Sequence, residues 1–161
     1  MVPTISDSSY RIKADVEVTS SGRGQGIILA CGNRFGGYVL YGRDGAICFD
    51  YIFTESHSYK IRTALRPGRH LYTVFFQRTG EYAGTFELGC DGRVEDRVEV
   101  QKTWHIFGIS AGLTCGYSNV PIIAALPPPA TFESTLHSVV FEVMRDQKQT
   151  PDAFGAILEE E

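Results

Sequence analysis

One stretch of the sequence, residues 32–51, decides the fold. It reads Gly32-Asn33-Arg34-Phe35-Gly36-Gly37-Tyr38-Val39-Leu40-Tyr41-Gly42-Arg43-Asp44-Gly45-Ala46-Ile47-Cys48-Phe49-Asp50-Tyr51. Apolar runs on both sides flank the tripeptide Arg43-Asp44-Gly45. Asp-Gly between β-forming runs is the strongest short-range hairpin signal, because glycine accepts a positive φ at no steric cost. The stretch therefore predicts a β-hairpin, and Gly36-Gly37 before it allows a turn or a close approach to a neighbouring strand.

The residues around the hairpin predict further strands. Residues 10–19 alternate between apolar and polar side chains, which is typical of a strand with one face in water. Residues 25–31 are nearly all apolar, which predicts a central strand covered on both faces. Further strands are predicted over 58–63, 69–78, 84–90, 94–100, 107–113 and 136–144, with a loop over 80–83 and a hairpin turn at Asp91-Gly92.

About nine to eleven short strands separated by turn signals predict an all-β fold, a two-sheet antiparallel β-sandwich or jelly roll. In the strand over 94–100 we expect Val94, Val98 and Val100 to share the inner face. Residues 114–131 contain Pro121 and the run Pro127–Pro129, which favours an irregular surface crossing.

The character of the chain changes after Arg145, which predicts one β-sandwich domain over 1–146 and a tail over 147–161. Residues 151–158 can form a short helix, with Thr150 as N-cap and Pro151 at the first helical position. Phe154, Ile157 and Leu158 would then form an apolar stripe. This segment is interpreted either as a tail docked on its own domain or without order, or as a handle for a partner.

Composition excludes several classes of function. The 161 residues are 43% hydrophobic and 21% charged, with a net charge of -4. Without a basic cluster, no nucleic-acid partner is predicted, and no apolar run is long enough for a membrane helix. The first ten residues lack the pattern of a secretory signal.

The four cysteines, Cys31, Cys48, Cys90 and Cys115, contain no C-x-x-C spacing. Reduced thiols are predicted, and with them a cytoplasmic location, with two disulfides as the alternative. The histidines, His57, His70, His105 and His137, show no metal-ligand spacing, so neither a metal nor another cofactor is predicted.

Two motifs match catalytic or phosphate-binding patterns in residue type and spacing but lack the structural context that these patterns need. Gly108-Ile109-Ser110-Ala111-Gly112 has the nucleophile-elbow spacing, but an elbow needs a helix behind it and an α/β sheet beneath it. The glycines at 22, 24 and 26 precede a strand, whereas a phosphate loop needs a helix N-terminus. We therefore predict no catalytic residue and interpret both motifs as structural.

Residues 32–51 resemble the glycine-rich hairpin in the C-terminal region of long bacterial arylsulfatases. The matching positions are Gly32, Arg34, Phe35, Gly36, Gly37, Tyr38, Leu40, Tyr41, Gly45, Phe49 and Tyr51. The resemblance extends more weakly over residues 10–145 and implies a lectin-like sandwich of the concanavalin or laminin-G type. The sulfatase motif Cys/Ser-x-Pro-x-Arg is absent, so the resemblance implies an accessory region without sulfatase activity. The segment 110–120 contains no acidic residue, which argues against a calcium site.

Five residues form the predicted ligand site. Trp104 and His105 follow a strand, and Tyr117 and Asn119 lie in the long irregular segment. Aromatic rings stack on the C–H faces of sugars while amides and hydroxyls bind sugar hydroxyls, as in lectin-like sandwiches. Arg34 could hold an anionic group such as a sulfate bidentately. The alternatives are that Trp104 belongs to the core and that Arg34 forms a structural ion pair.

The sequence thus predicts a non-catalytic ligand-binding or accessory module, with a carbohydrate or small anionic molecule as candidate ligand. The alternative is an oligomerisation or protein-partner module, forming a homo-oligomer for example, in which exposed aromatic side chains and the stripe of residues 154–158 make an interface. An enzyme with an unrecognised site is the third hypothesis.

Overall fold

The structure is a computed structural model, and it describes residues 9–19, 24–33, 35–103, 113–118, 123 and 130–144. These residues form twelve strands. The strands are β1 Ser9–Val18, β2 Gly26–Asn33, β3 Gly36–Arg43, β4 Ala46–Thr54, β5 His57–Ala64, β6 Gly68–Gly80, β7 Ala83–Cys90, β8 Arg93–Val100, β9 Leu113–Cys115, β10 Tyr117–Ser118, β11 Ala130–Thr131 and β12 Thr135–Met144.

The strands build the predicted two-sheet sandwich. Sheet A has the order β12-β1-β6-β7-β8, and sheet B has the order β5-β4-β3-β2-β9. A small third ladder pairs β10 with β11, and every pairing is antiparallel. The predicted all-β, antiparallel sandwich is therefore confirmed. The described part of the chain contains no helix suited to crossing a membrane.

The inner faces of the two sheets meet in an aromatic core. The ring of Phe86 in sheet A lies 4.7 Å from Phe76, 5.1 Å from Phe49 and 5.2 Å from Tyr51, measured between centroids. Tilted rings at these separations pack favourably beyond the area that they bury. The alternation predicted for β1 is confirmed, because every second residue from Tyr10 to Val18 is buried in this core.

The hairpin predicted from Asp44-Gly45 forms between β3 and β4. Asp44 has φ 51° and Gly45 has φ 76°, the two positive values of a type I′ turn. This turn matches the right-handed twist of the strands that it joins, which explains why the local sequence predicts it so well. The second predicted turn also forms, with Asp91 at φ 52° and Gly92 at φ 87°.

Acidic side chains of β8 close one side of the sandwich against β5. The Arg62 backbone N–H donates to Asp96 Oδ2 at 3.0 Å, and the Thr63 hydroxyl donates to Glu95 Oε1 at 2.9 Å. Since β5 and β8 are the edge strands of different sheets, the Asp96 carboxylate satisfies a backbone donor on the open edge of β5, and Glu95 accepts from a side-chain hydroxyl. These carboxylates also discourage pairing with another chain at this edge.

The structure corrects three details of the strand prediction. Val94 is 56% exposed instead of buried, because a bulge between Leu88 and Gly89 shifts the register of β8. The predicted loop over 80–83 is a tight hairpin turn, in which Tyr82 has φ 50°. The segment predicted to be irregular contains the short strands β10 and β11.

The predicted strand over 107–113 lies outside the described residues except for Leu113, which begins β9. The run Pro127–Pro129 and the tail with its proposed helix also lie outside the described residues. Cys31, Cys48 and Cys90 form no disulfide in the structure, and the predicted reduced state of the thiols stays a prediction. The cytoplasmic location inferred from them stays a prediction.

Candidate functional site

The outer face of sheet B carries a polar pair at the base of a pocket. Asp50 lies in β4, directly between Val39 of β3 and Lys60 of β5. Side chains alternate along a strand, so Asp50 points away from the aromatic core that Phe49 and Tyr51 enter. Asp50 is nevertheless only 2% exposed.

The phenol of Tyr41 holds the Asp50 carboxylate. The Tyr41 hydroxyl lies 3.1 Å from Asp50 Oδ1 and 3.2 Å from Oδ2, so it donates between the two oxygens. Tyr41 is itself buried, next to an outer apolar cluster of Ile27, Ala30, Val39, Ile52 and Ile123. The polar pair therefore sits beside packed apolar side chains that hold its geometry.

Burial dominates the electrostatics of this pair. It raises the pKa of the Asp50 carboxyl, while the charge of Lys60 and the hydrogen bond from Tyr41 oppose the rise. Burial, with the neighbouring Asp50 charge, also raises the pKa of the Tyr41 phenol. Burial likewise raises the pKa of the Cys48 thiol, so this thiol is a poor nucleophile.

Two cations of β5, Lys60 and Arg62, stand beside the carboxylate. Lys60 and Arg62 alternate on β5, and both side chains are exposed. Within the described part of the chain, neither the Lys60 ammonium nor the Arg62 guanidinium forms an ion pair; the bond from Arg62 to Asp96 uses the backbone N–H. Both cationic groups are therefore available to an anionic ligand.

These groups line a pocket of about 260 Å³, which we call the Asp50 pocket. Its lining residues are Tyr41, Arg43, Asp44, Cys48, Asp50, Lys60, Ile61, Arg62 and Asp96. A second pocket of about 250 Å³ lies on the other side of the β3–β4 turn and shares Arg43 and Asp44 with the first. In that second pocket, Gly24, Gln25, Gly45, Leu65 and Glu133 complete the wall.

The Asp50 pocket has the chemistry of a binding site for a polar ligand. A carboxylate offers acceptors for sugar hydroxyls, and an arginine and a lysine offer donors to an acidic group. Its volume of about 260 Å³ lies just below the usual range of roughly 300–1,000 Å³ for ligand pockets, which suits a ligand of about one sugar unit. The described residues that line it contain no histidine, so they offer no imidazole base.

The structure tests little of the predicted ligand site. Arg34, Trp104, His105 and Asn119 lie outside the described residues. Tyr117 is on β10, is 44% exposed and does not line the Asp50 pocket. Phe35, the neighbour of Arg34, is exposed at the end of β3 opposite to Arg43. The five-residue site stays a prediction.

Asp50 was not among the predicted site residues, although the sequence contains a signal for it. Asp50 is the one charged residue in the apolar run over 46–53, and a charge in a strand covered on both faces is costly unless it is paired. Alternation assigns Asp50 to the face opposite Phe49. Alternation does not show that the Asp50 side chain is buried on this face, because its burial depends on contacts with other strands.

Comparisons with known proteins identify the fold. No protein-family model matches the sequence, and no curated protein matches it. The CBM40 domain of Ruminococcus gnavus IT-sialidase, bound to α2,3-sialyllactose, superposes with a TM-score of 0.60 at 14% identity, over 86% of this chain and 77% of that chain. The same domain bound to α2,6-sialyllactose gives a TM-score of 0.53, over 90% of this chain and 79% of that chain at 14% identity.

Two longer proteins contain a similar sandwich. The leech intramolecular trans-sialidase, solved with 2,7-anhydro-Neu5Ac, gives a TM-score of 0.60 at 13% identity, over 89% of this chain and 23% of that chain. The structure described as HCR/D-Sa-GBL1/C gives a TM-score of 0.52 at 14% identity, over 66% of this chain and 27% of that chain. This chain thus spans about a quarter of these two proteins. At such identities the likeness establishes the fold, a lectin-like β-sandwich.

Proposed function

We propose that this chain is a non-catalytic carbohydrate-binding module whose ligand is a glycan with an acidic group, a sialoside in the first instance. The observation that carries the proposal is the Asp50 pocket, where a buried carboxylate stands next to Lys60 and Arg62, which form no ion pair within the described part of the chain. Carboxylates that accept from neighbouring sugar hydroxyls, together with cations that donate to an acid, are the groups such a ligand needs.

The structural neighbours support the choice of ligand class. The CBM40 domain of IT-sialidase has been solved with α2,3- and with α2,6-sialyllactose. In our proposal, Arg62 and Lys60 bind the glycan carboxylate, and Asp50 accepts hydrogen bonds from hydroxyls of the same sugar. No family model or curated protein supports the arylsulfatase resemblance of residues 32–51. A sulfated glycan is nevertheless the competing ligand, since a sulfate would use the same two cations.

A binding titration with matched ligands tests this proposal. Isothermal titration of the full chain with α2,3-sialyllactose, α2,6-sialyllactose and lactose compares ligands that differ in the acidic sugar. We expect both sialosides to bind and lactose to bind at least about tenfold more weakly, because a charge-assisted hydrogen bond is worth roughly 1.5–3 kcal/mol. Sulfated lactose serves as the fourth ligand. Its tighter binding would support the sulfated-glycan alternative and overturn the sialoside assignment.

Charge-removing variants locate the site. Arg62→Gln and Lys60→Gln should each weaken sialoside binding about tenfold or more. Arg97→Gln is the matched control for Arg62→Gln, because Arg97 is exposed on β8 and does not line the pocket. Lys102→Gln is the control for Lys60→Gln for the same reason. Equal affinities in all four variants would rule out the Asp50 pocket as the site.

A further inference from the structure

A second cluster of reactive side chains lies away from the Asp50 pocket. His70 is on β6, Cys90 is the last residue of β7, and Asp91 is the first residue of the β7–β8 turn. One imidazole nitrogen, the Cys90 Sγ and one carboxylate oxygen all lie within 4.8 Å of one another. Nitrogen, thiolate sulfur and carboxylate oxygen are the three ligand types that Zn²⁺ takes from proteins.

The surroundings of the cluster orient its ligand atoms. His70 Nε2 lies 2.9 Å from the Pro67 carbonyl, to which it donates. Asp91 Oδ1 accepts from the Leu71 backbone N–H at 2.9 Å, and the Asp91 N–H donates to the Leu71 carbonyl at 2.8 Å. His70 Nδ1 and Asp91 Oδ2 are therefore left facing each other, 2.6 Å apart. Metal-binding histidines typically donate their second ring N–H to a carbonyl or carboxylate in this way.

Burial and charge complete the arrangement. Cys90 is 5% exposed, whereas Asp91 is exposed, so the cluster has a closed side and an open side. A thiolate and a carboxylate together balance the two positive charges of a zinc ion. The nearby cation, Arg66, is paired with Glu95 at 2.6 Å, which reduces its repulsion of a metal.

We propose that His70 Nδ1, Cys90 Sγ and Asp91 Oδ2 bind a zinc ion with an open fourth position on the solvent side. Binding of the ion displaces two protons to solvent, the one that His70 and Asp91 share and the one on the Cys90 thiol. Because zinc–nitrogen and zinc–oxygen bonds are each about 2.0 Å, the gap between Nδ1 and Oδ2 must widen to roughly 3.3 Å, which the exposed Asp91 side chain allows. The sequence analysis predicted no metal from spacing alone, and the strand pairing of β6 with β7 is what brings these residues together.

Metal titration of the full chain tests the site independently of glycan binding. We expect one Zn²⁺ per chain in competition with a chromogenic chelator. With Co²⁺ as the probe, we expect an absorption band from charge transfer between thiolate and metal. Cys90→Ser and His70→Gln should each weaken Zn²⁺ binding about tenfold or more, while Cys115→Ser and His137→Gln, which change residues outside the cluster, should leave it unchanged.

Circular dichroism of each variant checks that it folds. If Cys90→Ser does not fold, Asp91→Asn replaces it as a variant of a proposed zinc ligand. The proposal is overturned if wild-type chain binds no Zn²⁺, if Co²⁺ binds without the thiolate band, or if the folded ligand variants bind Zn²⁺ as wild type does.

Discussion

At the scale of single residues, Asp50 is the position where stability and binding conflict. An ionised carboxylate that is almost fully buried costs folding free energy, and one hydrogen bond from Tyr41 offsets only part of the cost. Buried ionisable residues that destabilise the folded state in this way concentrate at functional sites. We therefore interpret Asp50 as a residue that serves ligand binding at the expense of stability.

We predict that Asp50→Asn raises the free energy of unfolding at pH 7 by on the order of 1 kcal/mol. The folded-state pKa of Asp50 is raised by burial, so protonation favours the folded chain. The stabilisation that protonated Asp50 gives the folded chain is fully present below the pKa of Asp50 in the unfolded chain. It is lost as pH rises through the pKa of Asp50 in the folded chain. The gain from the variant should therefore shrink as the pH falls towards about 4, the pKa of an aspartate in an unfolded chain.

Urea unfolding of both proteins between neutral and acidic pH measures this difference. Asp44→Asn is the control, because Asp44 lines the same pocket but is exposed, so its substitution should change stability by less than about 0.5 kcal/mol. The same Asp50→Asn variant should lose affinity for sialosides. An Asp50→Asn protein that is less stable than wild type at pH 7 would contradict this interpretation.

Gly42 illustrates a residue fixed by the close approach of two backbone segments. A Cβ atom at Gly42 would lie 1.6 Å from the Gly24 carbonyl oxygen. We predict that Gly42→Ala lowers the free energy of unfolding by roughly 2 kcal/mol or more, because backbone must move to make room. Gly80→Ala is the control, since a Cβ there meets nothing within 4 Å, and it should be neutral or slightly stabilising. Thermal unfolding of both variants is the measurement, and equal effects would contradict the packing described here.

At the scale of strands and sheets, the sequence predicts what depends on near neighbours. The alternation of β1 and the Asp-Gly turns are local signals, and both appear as predicted. The order β12-β1-β6-β7-β8 depends on pairing between distant segments, so no local signal carries it. Val94 shows the same limit, because its exposure depends on a bulge in the pairing with β7.

The packing of the two sheets gives a prediction at this scale. Phe86→Ala removes the ring that joins Phe76 of sheet A to Phe49 and Tyr51 of sheet B. It should lower the free energy of unfolding by about 3–5 kcal/mol, through lost burial and the cavity that remains.

The matched control is Phe75→Ala. Phe75 is the neighbouring residue on the other face of β6, where the Arg11 guanidinium covers its ring. Its loss should cost about 1 kcal/mol or less, the value of a partly exposed cation–π contact. Denaturant unfolding distinguishes the two. A Phe75→Ala cost as large as that of Phe86→Ala would place the core on the wrong face.

At the scale of the whole molecule, the described strands close one sandwich that ends at Met144. We predict that a chain truncated after residue 146 folds with a melting temperature within a few degrees of the full chain and binds the same ligand. Thermal melting and the glycan titration measure this. Sedimentation of both chains adds a control. A full chain that sediments as an oligomer and a truncated chain that sediments as a monomer would instead support the oligomerisation alternative.

The candidate site shows how far sequence reasoning reaches in this molecule. A carbohydrate or small anionic ligand is predicted from the resemblance to lectin-like sandwiches, from the aromatic residues around Trp104 and from Arg34, and it stays a prediction. The position of the Asp50 pocket could not be predicted from the sequence. Asp50, Tyr41 and Arg62 come from three strands, and whether they share a face depends on the register between those strands. The predicted alternative around Trp104 and Tyr117 competes with this pocket.

The most direct test is an NMR titration of the labelled chain with α2,3-sialyllactose, following every backbone amide. We predict the largest shifts at Tyr41, Cys48, Asp50, Lys60 and Arg62, with little change at Phe75 on the opposite sheet. Shifts confined to the region of Trp104, Tyr117 and Asn119, or no shifts at a millimolar ligand concentration, would contradict the assignment of the Asp50 pocket as a sialoside site.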